Sequence, residues 1–167
     1  MLHPMTTARL LLRRPRRDDA AAFFDLLCDA ETCRMDGGYP PYTAMDEAFF
    51  RDFDSILATA DDRLCIKERA GGRMIGLLHV MPCSIPAEAE IGVVIHRAAR
   101  RRGYATEALS ALFDQLRGCG TSRVIATCYA FNEASAAMLL RLGFSEGLPR
   151  PNETHQAYAQ RSFSLTL

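Results

Sequence analysis

Four arginines, Arg97, Arg100, Arg101 and Arg102, stand within six residues and run straight into Gly103-Tyr104-Ala105-Thr106. A guanidinium carries a fixed fork of donors matched to phosphate and carboxylate oxygens. Small residues at 103 and 105 let an anion come close to the backbone. The flanks decide what kind of turn this is. Before it, Ile91-Gly92-Val93-Val94-Ile95 reads as a buried strand; after it, Ala105, Ala108, Leu109, Leu112, Phe113 and Leu116 repeat with helical spacing. A basic turn entering a helix offers unsatisfied N–H groups and the positive end of the helix dipole. With Arg97, Arg100, Arg101 and Arg102, this turn is therefore a candidate seat for a polyphosphate, with a solvated arginine-rich turn as the plainer alternative.

The elements that must position this turn fit a single domain over residues 1–167, long enough for a sizeable core, with 1–8 loose. A hydrophobic content of 49% and a charged content of 24% are ordinary for a globular chain. The formal net charge is zero, so no overall field draws the chain to nucleic acid or to an anionic membrane. Six cysteines show no C-x-x-C pair and the four histidines are scattered, so no metal site is expected and a reducing, cytoplasmic setting is. No apolar run has membrane-spanning length, and the N-terminus has no signal-peptide core.

Along the chain, Arg9-Leu10-Leu11-Leu12-Arg13 reads as a first strand. Asp18 caps a helix with Phe23, Leu26, Leu27 and Ala30 on one face. Met35 to Tyr42 is a Gly/Pro-rich loop, and Thr43 and Asp46 signal a helix over 44–58. Residues 63–68 and 73–81 flank Ala70-Gly71-Gly72 as a hairpin, where Gly76 marks a bulge or a close approach. Glu88–Ile95 is the next strand, followed by the basic turn and a helix to Gly118. Val124–Tyr129 is a strand. Asn132 caps a helix bearing Ser135, Met138, Leu139 and Leu142, closed by Gly143. Phe144 opens another strand, and Gln156–Leu167 ends in alternation with Phe163, Leu165 and Leu167 on one side. The order β-α-α-β-β-β-α-β-α-β-β implies an α/β (α+β) fold: a mixed, mostly antiparallel seven-stranded sheet with helices on its faces.

This order resembles the GNAT acyltransferase superfamily through three local motifs. Arg100-x-x-Gly103-x-Ala105 matches its pyrophosphate loop. Glu90-Ile91-Gly92 lies on the preceding strand. Asn132-x-x-Ser135 followed by Leu142-Gly143-Phe144 matches its cofactor-side asparagine and closing Gly-Phe. Thr7-Ala8-Arg9-Leu10-Leu11-Leu12-Arg13 and Pro40-Pro41-Tyr42-Thr43 look like the branch of ribosomal-protein N-terminal acetyltransferases. The likeness spans roughly residues 6–167.

The resemblance implies transfer of an acetyl group from acetyl-CoA to a primary amine on a protein N-terminus or a small molecule. It implies that the backbone of Val93, Val94 and Ile95 pairs with pantetheine, that Arg101, Arg102, Gly103, Tyr104, Ala105 and Thr106 wrap the pyrophosphate, and that Asn132 holds the pantetheine arm. Many members carry a tyrosine five residues before the closing Phe as the acid for the departing thiolate; here that residue is Leu139. Ser135 is the first substitute, since in the ribosomal branch a serine there has that role, and Tyr129 the second. A thiolate with a pKa of about 8.5 is a tolerable leaving group in any case. Glu90 could take the proton of the amine, or could be a strand-end carboxylate paired to an arginine. The acceptor pocket is expected from the 35–43 loop, the helix after it and residues 149–155, with Tyr39, Tyr42 and His155 as candidates. Other readings are a small-molecule acetyltransferase acting on an amino acid, polyamine or antibiotic, an acyl-CoA-binding domain without turnover, and an RNA-binding module, which lacks interleaved aromatics. A homodimer and a longer acyl group stay open.

Overall fold

The computed structural model describes residues 2–37, 39–149 and 159–167. In chain order the elements are β1 (Met5–Thr6), β2 (Leu10–Arg13), α1 (Ala20–Leu27), α2 (Ala30–Asp36), α3 (Glu47–Ala58), β3 (Arg63–Glu68), β4 (Met74–Pro82), β5 (Glu88–Ile95), α4 (Tyr104–Gly118), β6 (Arg123–Tyr129), α5 (Glu133–Arg141), β7 (Ser145–Glu146) and β8 (Gln160–Thr166). The strands form a mixed, mostly antiparallel sheet in the order β1-β2-β3-β4-β5-β6-β8-β7, with β5 and β6 parallel. The fold class is the one expected. Among the described residues the strand count is eight rather than seven, because residues 2–8 are not loose: Met5 and Thr6 pair with Leu12 and Leu11, and buried Leu2 donates its N–H to the Asp61 carbonyl at 3.1 Å. Two residues are too few to show any period. The expected acceptor residues 150–155, with His155, and the start of the last strand at Gln156 lie outside the described residues.

The helical start also differs from expectation. Asp18 is exposed, and the carboxylate that organises the entry to α1 is the buried Asp19. Its Oδ2 accepts the Arg16 N–H at 2.8 Å, and Arg13 reaches both its oxygens at 2.7 Å. The helix α2 lies where residue spacing gives only Ala30 as a helix end and a loop from Met35. Asp29 starts it by accepting the Thr32 N–H (2.9 Å) and hydroxyl (2.7 Å), a local cap that needs no long apolar stripe.

Residues 1–79 and 93–111 form one compact unit, and 80–92 with 112–167 form a second. The first is built round Phe23, Leu26, Phe49, Phe53, Cys65, Met74, Leu77 and Val94. Each large apolar side chain buried here stabilises the fold by about 1.5–3 kcal/mol. Gly76 sits where a Cβ would meet the Val94 carbonyl oxygen at 2.3 Å, and the β3–β4 register shifts at Ile66/Lys67 opposite it. Both expectations for this glycine therefore hold: close approach and bulge. In the second unit, β6 pairs with β8 along its whole length, from Arg123↔Thr166 to Tyr129↔Gln160. The parallel β5–β6 ladder runs from Glu88↔Arg123 to Ile91↔Ala126 and stops, so residues 92–95 of β5 lie outside it.

Candidate active site

After β5, His96 accepts the Ala98 N–H on Nδ1 at 3.2 Å and opens a single 3-10 turn, Arg97–Ala99. Two of the four arginines then turn back into the protein. Arg97 pairs with Asp29 at 3.1 Å. Arg100 donates Nε to the Ile95 carbonyl at 3.0 Å and Nη2 to the Thr32 hydroxyl at 2.7 Å, with Glu31 at 3.5 Å. The Arg100 guanidinium, expected at the cofactor, thus ties the end of β5 to α2. Arg101 and Arg102 are exposed, and no ion pair to either occurs among the described residues. Positive φ at Arg101 (62°) and Gly103 (79°) bends the chain into a concave turn of the kind that gathers N–H groups toward an anion. Tyr104, Ala105 and Thr106 form the first turn of α4, whose N–H groups have no intrahelical acceptor. A Cβ at Gly103 would meet only Arg9 Nη2, at 3.4 Å.

That arginine belongs to a long-range network that no local spacing in the sequence marks. Glu107, in the first turn of α4, accepts the Thr7 hydroxyl and the Arg9 N–H (2.9 Å) on one oxygen and Arg9 Nε (2.6 Å) on the other. Arg9 Nη1 donates to the Arg102 carbonyl at 2.9 Å, and its guanidinium lies 4.6 Å from the Tyr104 ring centre. Tyr104 in turn donates its hydroxyl to Glu68 at 2.7 Å, so its side chain is structural and its backbone is what the turn presents. Burial pushes the Glu107 carboxyl up, but the bonds from Thr7 and Arg9 outweigh it and hold it below its ordinary value. Glu107 is 98 residues from Arg9, so no local spacing could reveal the pair.

In the second unit, Glu90 is half-buried on β5 and accepts the Thr127 hydroxyl at 3.2 Å. Asn132 caps α5, its Oδ1 accepting the Ser135 N–H at 3.1 Å, which leaves its amide nitrogen as the donor end. Ser135 is half-buried, with its hydroxyl in hydrogen-bond reach of Cys128. Burial pushes the Cys128 thiol up, against the Arg161 charge and that bond. Tyr129 is 4% exposed, with its ring stacked on Phe131 at 5.2 Å. Leu139 is buried. A leucine there supplies no proton.

The first unit also contains a cavity of 680 Å³, lined by the 39–44 loop, by α3 residues and, from the sheet, by Leu77, His79 and Val94. Tyr39 and Tyr42 stand on its wall, where the sequence placed candidate acceptor residues. Val94, on the strand segment that leaves the β5–β6 ladder, lines this cavity as well as the core of the unit. Among the described residues no group of three or more His, Cys, Asp or Glu is placed to hold a metal, and no helix is long and apolar enough to cross a membrane.

A family model described as "Acetyltransferase (GNAT) domain" matches residues 9–145. Solved structures share the architecture over nearly the whole chain. A GNAT-family acetyltransferase from Bacillus anthracis has a TM-score of 0.85 at 18% identity, covering 98% of each chain. The microcin C7 self-immunity acetyltransferase MccE, solved with acetyl-CoA and AMP, has a TM-score of 0.82 at 17% identity, covering 96% of this chain and 94% of its own. RimL, a ribosomal L7/L12 α-N-protein acetyltransferase solved with coenzyme A, has a TM-score of 0.79 at 18% identity, covering 99% and 98%. At these identities the structural likeness is one of fold. No curated protein matches the chain.

Proposed function

The chain belongs to the GNAT acetyltransferase family, and from that membership we propose that it acetylates a primary amine by direct attack of the neutral nitrogen on the thioester of acetyl-CoA. It is an acetyl-CoA-dependent acetyltransferase. The turn at 101–106 carries the reading. Its open backbone over Gly103 and its two guanidiniums without carboxylate partners fit the diphosphate of coenzyme A in charge and in room. When bound, acetyl-CoA supplies an activated acetyl group; everything else is asked of the protein.

Arg101 and Arg102 neutralise phosphate charge while the N–H groups of Gly103 to Thr106 hydrogen-bond the oxygens. Val93, Val94 and Ile95, beyond the β5–β6 ladder, offer backbone groups to the amides of the pantetheine arm. A backbone N–H near Val93–Ile95 that the amides leave free polarises the thioester carbonyl. The Asn132 amide nitrogen donates to the arm. Glu90, oriented by Thr127, accepts the amine proton directly or through water. Its load depends on the acceptor: an α-amine is about a tenth neutral at pH 7, and a lysine far less. Ser135 donates to the departing sulfur; buried Tyr129 stands second to it. A thiol-release assay over amines and peptides with free N-termini tests the proposal, and CoA release with at least one acceptor is the expected result. Buried Leu139 favours one other reading, a domain that binds acyl-CoA without turnover. Tight acetyl-CoA binding with no release from any acceptor would establish that instead.

A further inference from the structure

The cavity beside Val94 bears charge mainly of one sign. Asp36, Asp46 and Asp52 line it, against one guanidinium, Arg63. Asp46 is committed to α3, where its Oδ1 accepts the Phe49 N–H. Asp36 and Asp52, both exposed, are engaged differently: they accept the hydroxyls of Tyr39 and Tyr42 at 2.7 and 2.6 Å, and Arg51 Nε lies 3.8 Å from Asp52 Oδ1. A carboxylate that accepts a phenol keeps its charge and has lone pairs to spare. Burial and these carboxylates push Tyr42 up to about 12 and Tyr39 further, so both phenols stay neutral. The wall therefore joins two aromatic rings to two carboxylates, and Leu27, Ile56, Leu77 and Val94 add apolar surface beside the polar Thr43, Ser55, Arg63 and His79.

This charge is ill suited to the nitrogen that reacts. One carboxylate at the reacting centre, Glu90, serves to take the proton away, whereas further carboxylates that only pair with an amine hold it as an ammonium, which has no lone pair with which to attack. The wall suits a cation that stays protonated, held by carboxylates and by aromatic faces. We propose that the acceptor is a small dicationic amine, one amino group lodging against Asp36 and Asp52 while another is acetylated. The proposal rests on the acetyl-transfer reading above and names its substrate class. A volume of 680 Å³ is in the range of small-molecule sites. An acceptor with a carboxylate at its far end would meet charge of its own sign.

Three ligands that share a four-carbon chain isolate that far-end charge: 1,4-diaminobutane, 1-aminobutane and 4-aminobutanoate. Their affinities are measured by calorimetry on CoA-saturated protein, and their KM and kcat by CoA release. The expected order is diamine, monoamine, amino acid, with about tenfold or more between first and last. Asp36→Asn and Asp52→Asn keep an acceptor for each phenol and remove the charge. Each is expected to narrow the diamine-to-monoamine ratio about threefold, through Kd and KM and not kcat. Equal affinity for the diamine and 4-aminobutanoate overturns the inference and leaves the acetyl-transfer reading standing. So does a ratio unchanged in both variants when their circular dichroism and melting are native. Failure of CoA itself to bind overturns the acetyl-transfer reading instead; the same three ligands on the protein alone then decide the charge preference.

Discussion

Asp19 is a carboxylate almost wholly removed from water, and the chain keeps it charged. Burial pushes its carboxyl up, but bonds from Arg13 and the Arg16 N–H, with the charges of Arg13 and Lys67, leave it below its ordinary value of 3.8. The unfolded chain therefore takes up this proton first as the pH falls. The stabilisation is complete above pH 3.8 and is lost as the pH drops through the folded value. Asp19→Asn leaves the Arg13 guanidinium, 14% exposed, without its partner. It should lower unfolding stability by about 3 kcal/mol at pH 7 and flatten the acid limb, measured by urea unfolding between pH 7 and 3. Ser135 is a separate case. If its hydroxyl protonates the sulfur, Ser135→Ala should lower kcat about tenfold and leave the KM for acetyl-CoA near its original value, the small factor reflecting a leaving group that needs little help. An unchanged kcat would reduce Ser135 to a helix-cap neighbour of Asn132.

At the scale of elements, the turn into α4 is held from both sides. Arg100 fastens its start to the β5 end and α2, and Arg9 fastens its far side through Arg102 and Glu107. Arg100→Ala should therefore cost about 2 kcal/mol of stability, since two charge-assisted bonds are lost. Arg9→Ala leaves the phosphate donors in place and loosens the turn. Its expected signature is a KM for acetyl-CoA raised about threefold to tenfold with kcat kept, read in steady-state kinetics. Gly103→Val combines two effects. At φ 79° a β-branched residue is strained, so the variant should melt lower as well as lose acetyl-CoA affinity. For that reason the arginines outside the ion pairs, not the glycine, provide the cleaner test of the seat.

For the whole molecule, what could be read in advance was whatever is local. The β5-turn-α4 and β6-α5 segments each carry their own period, glycine and cap, so their type and order are legible from residue spacing. β1 was not, because two residues acquire strand character only by pairing with Leu11 and Leu12. The roles of Arg100 and Arg9 were not, because their partners Thr32 and Glu107 lie 68 and 98 residues away. Residue types alone suggested four arginines for the phosphates; the ion pairs to Asp29 and Glu31 reduce that to two. The cavity's charge was hidden for the same reason, since Asp36 and Asp52 come to one cavity only in three dimensions. The most direct test of the central assignment is calorimetric titration of acetyl-CoA into the protein and its Arg101→Ala/Arg102→Ala variant. The expected result is one site per chain, weakened at least about tenfold in the variant and increasingly by added salt, with the melting temperature kept. Equal affinity in the two proteins, or no binding by either, would contradict it.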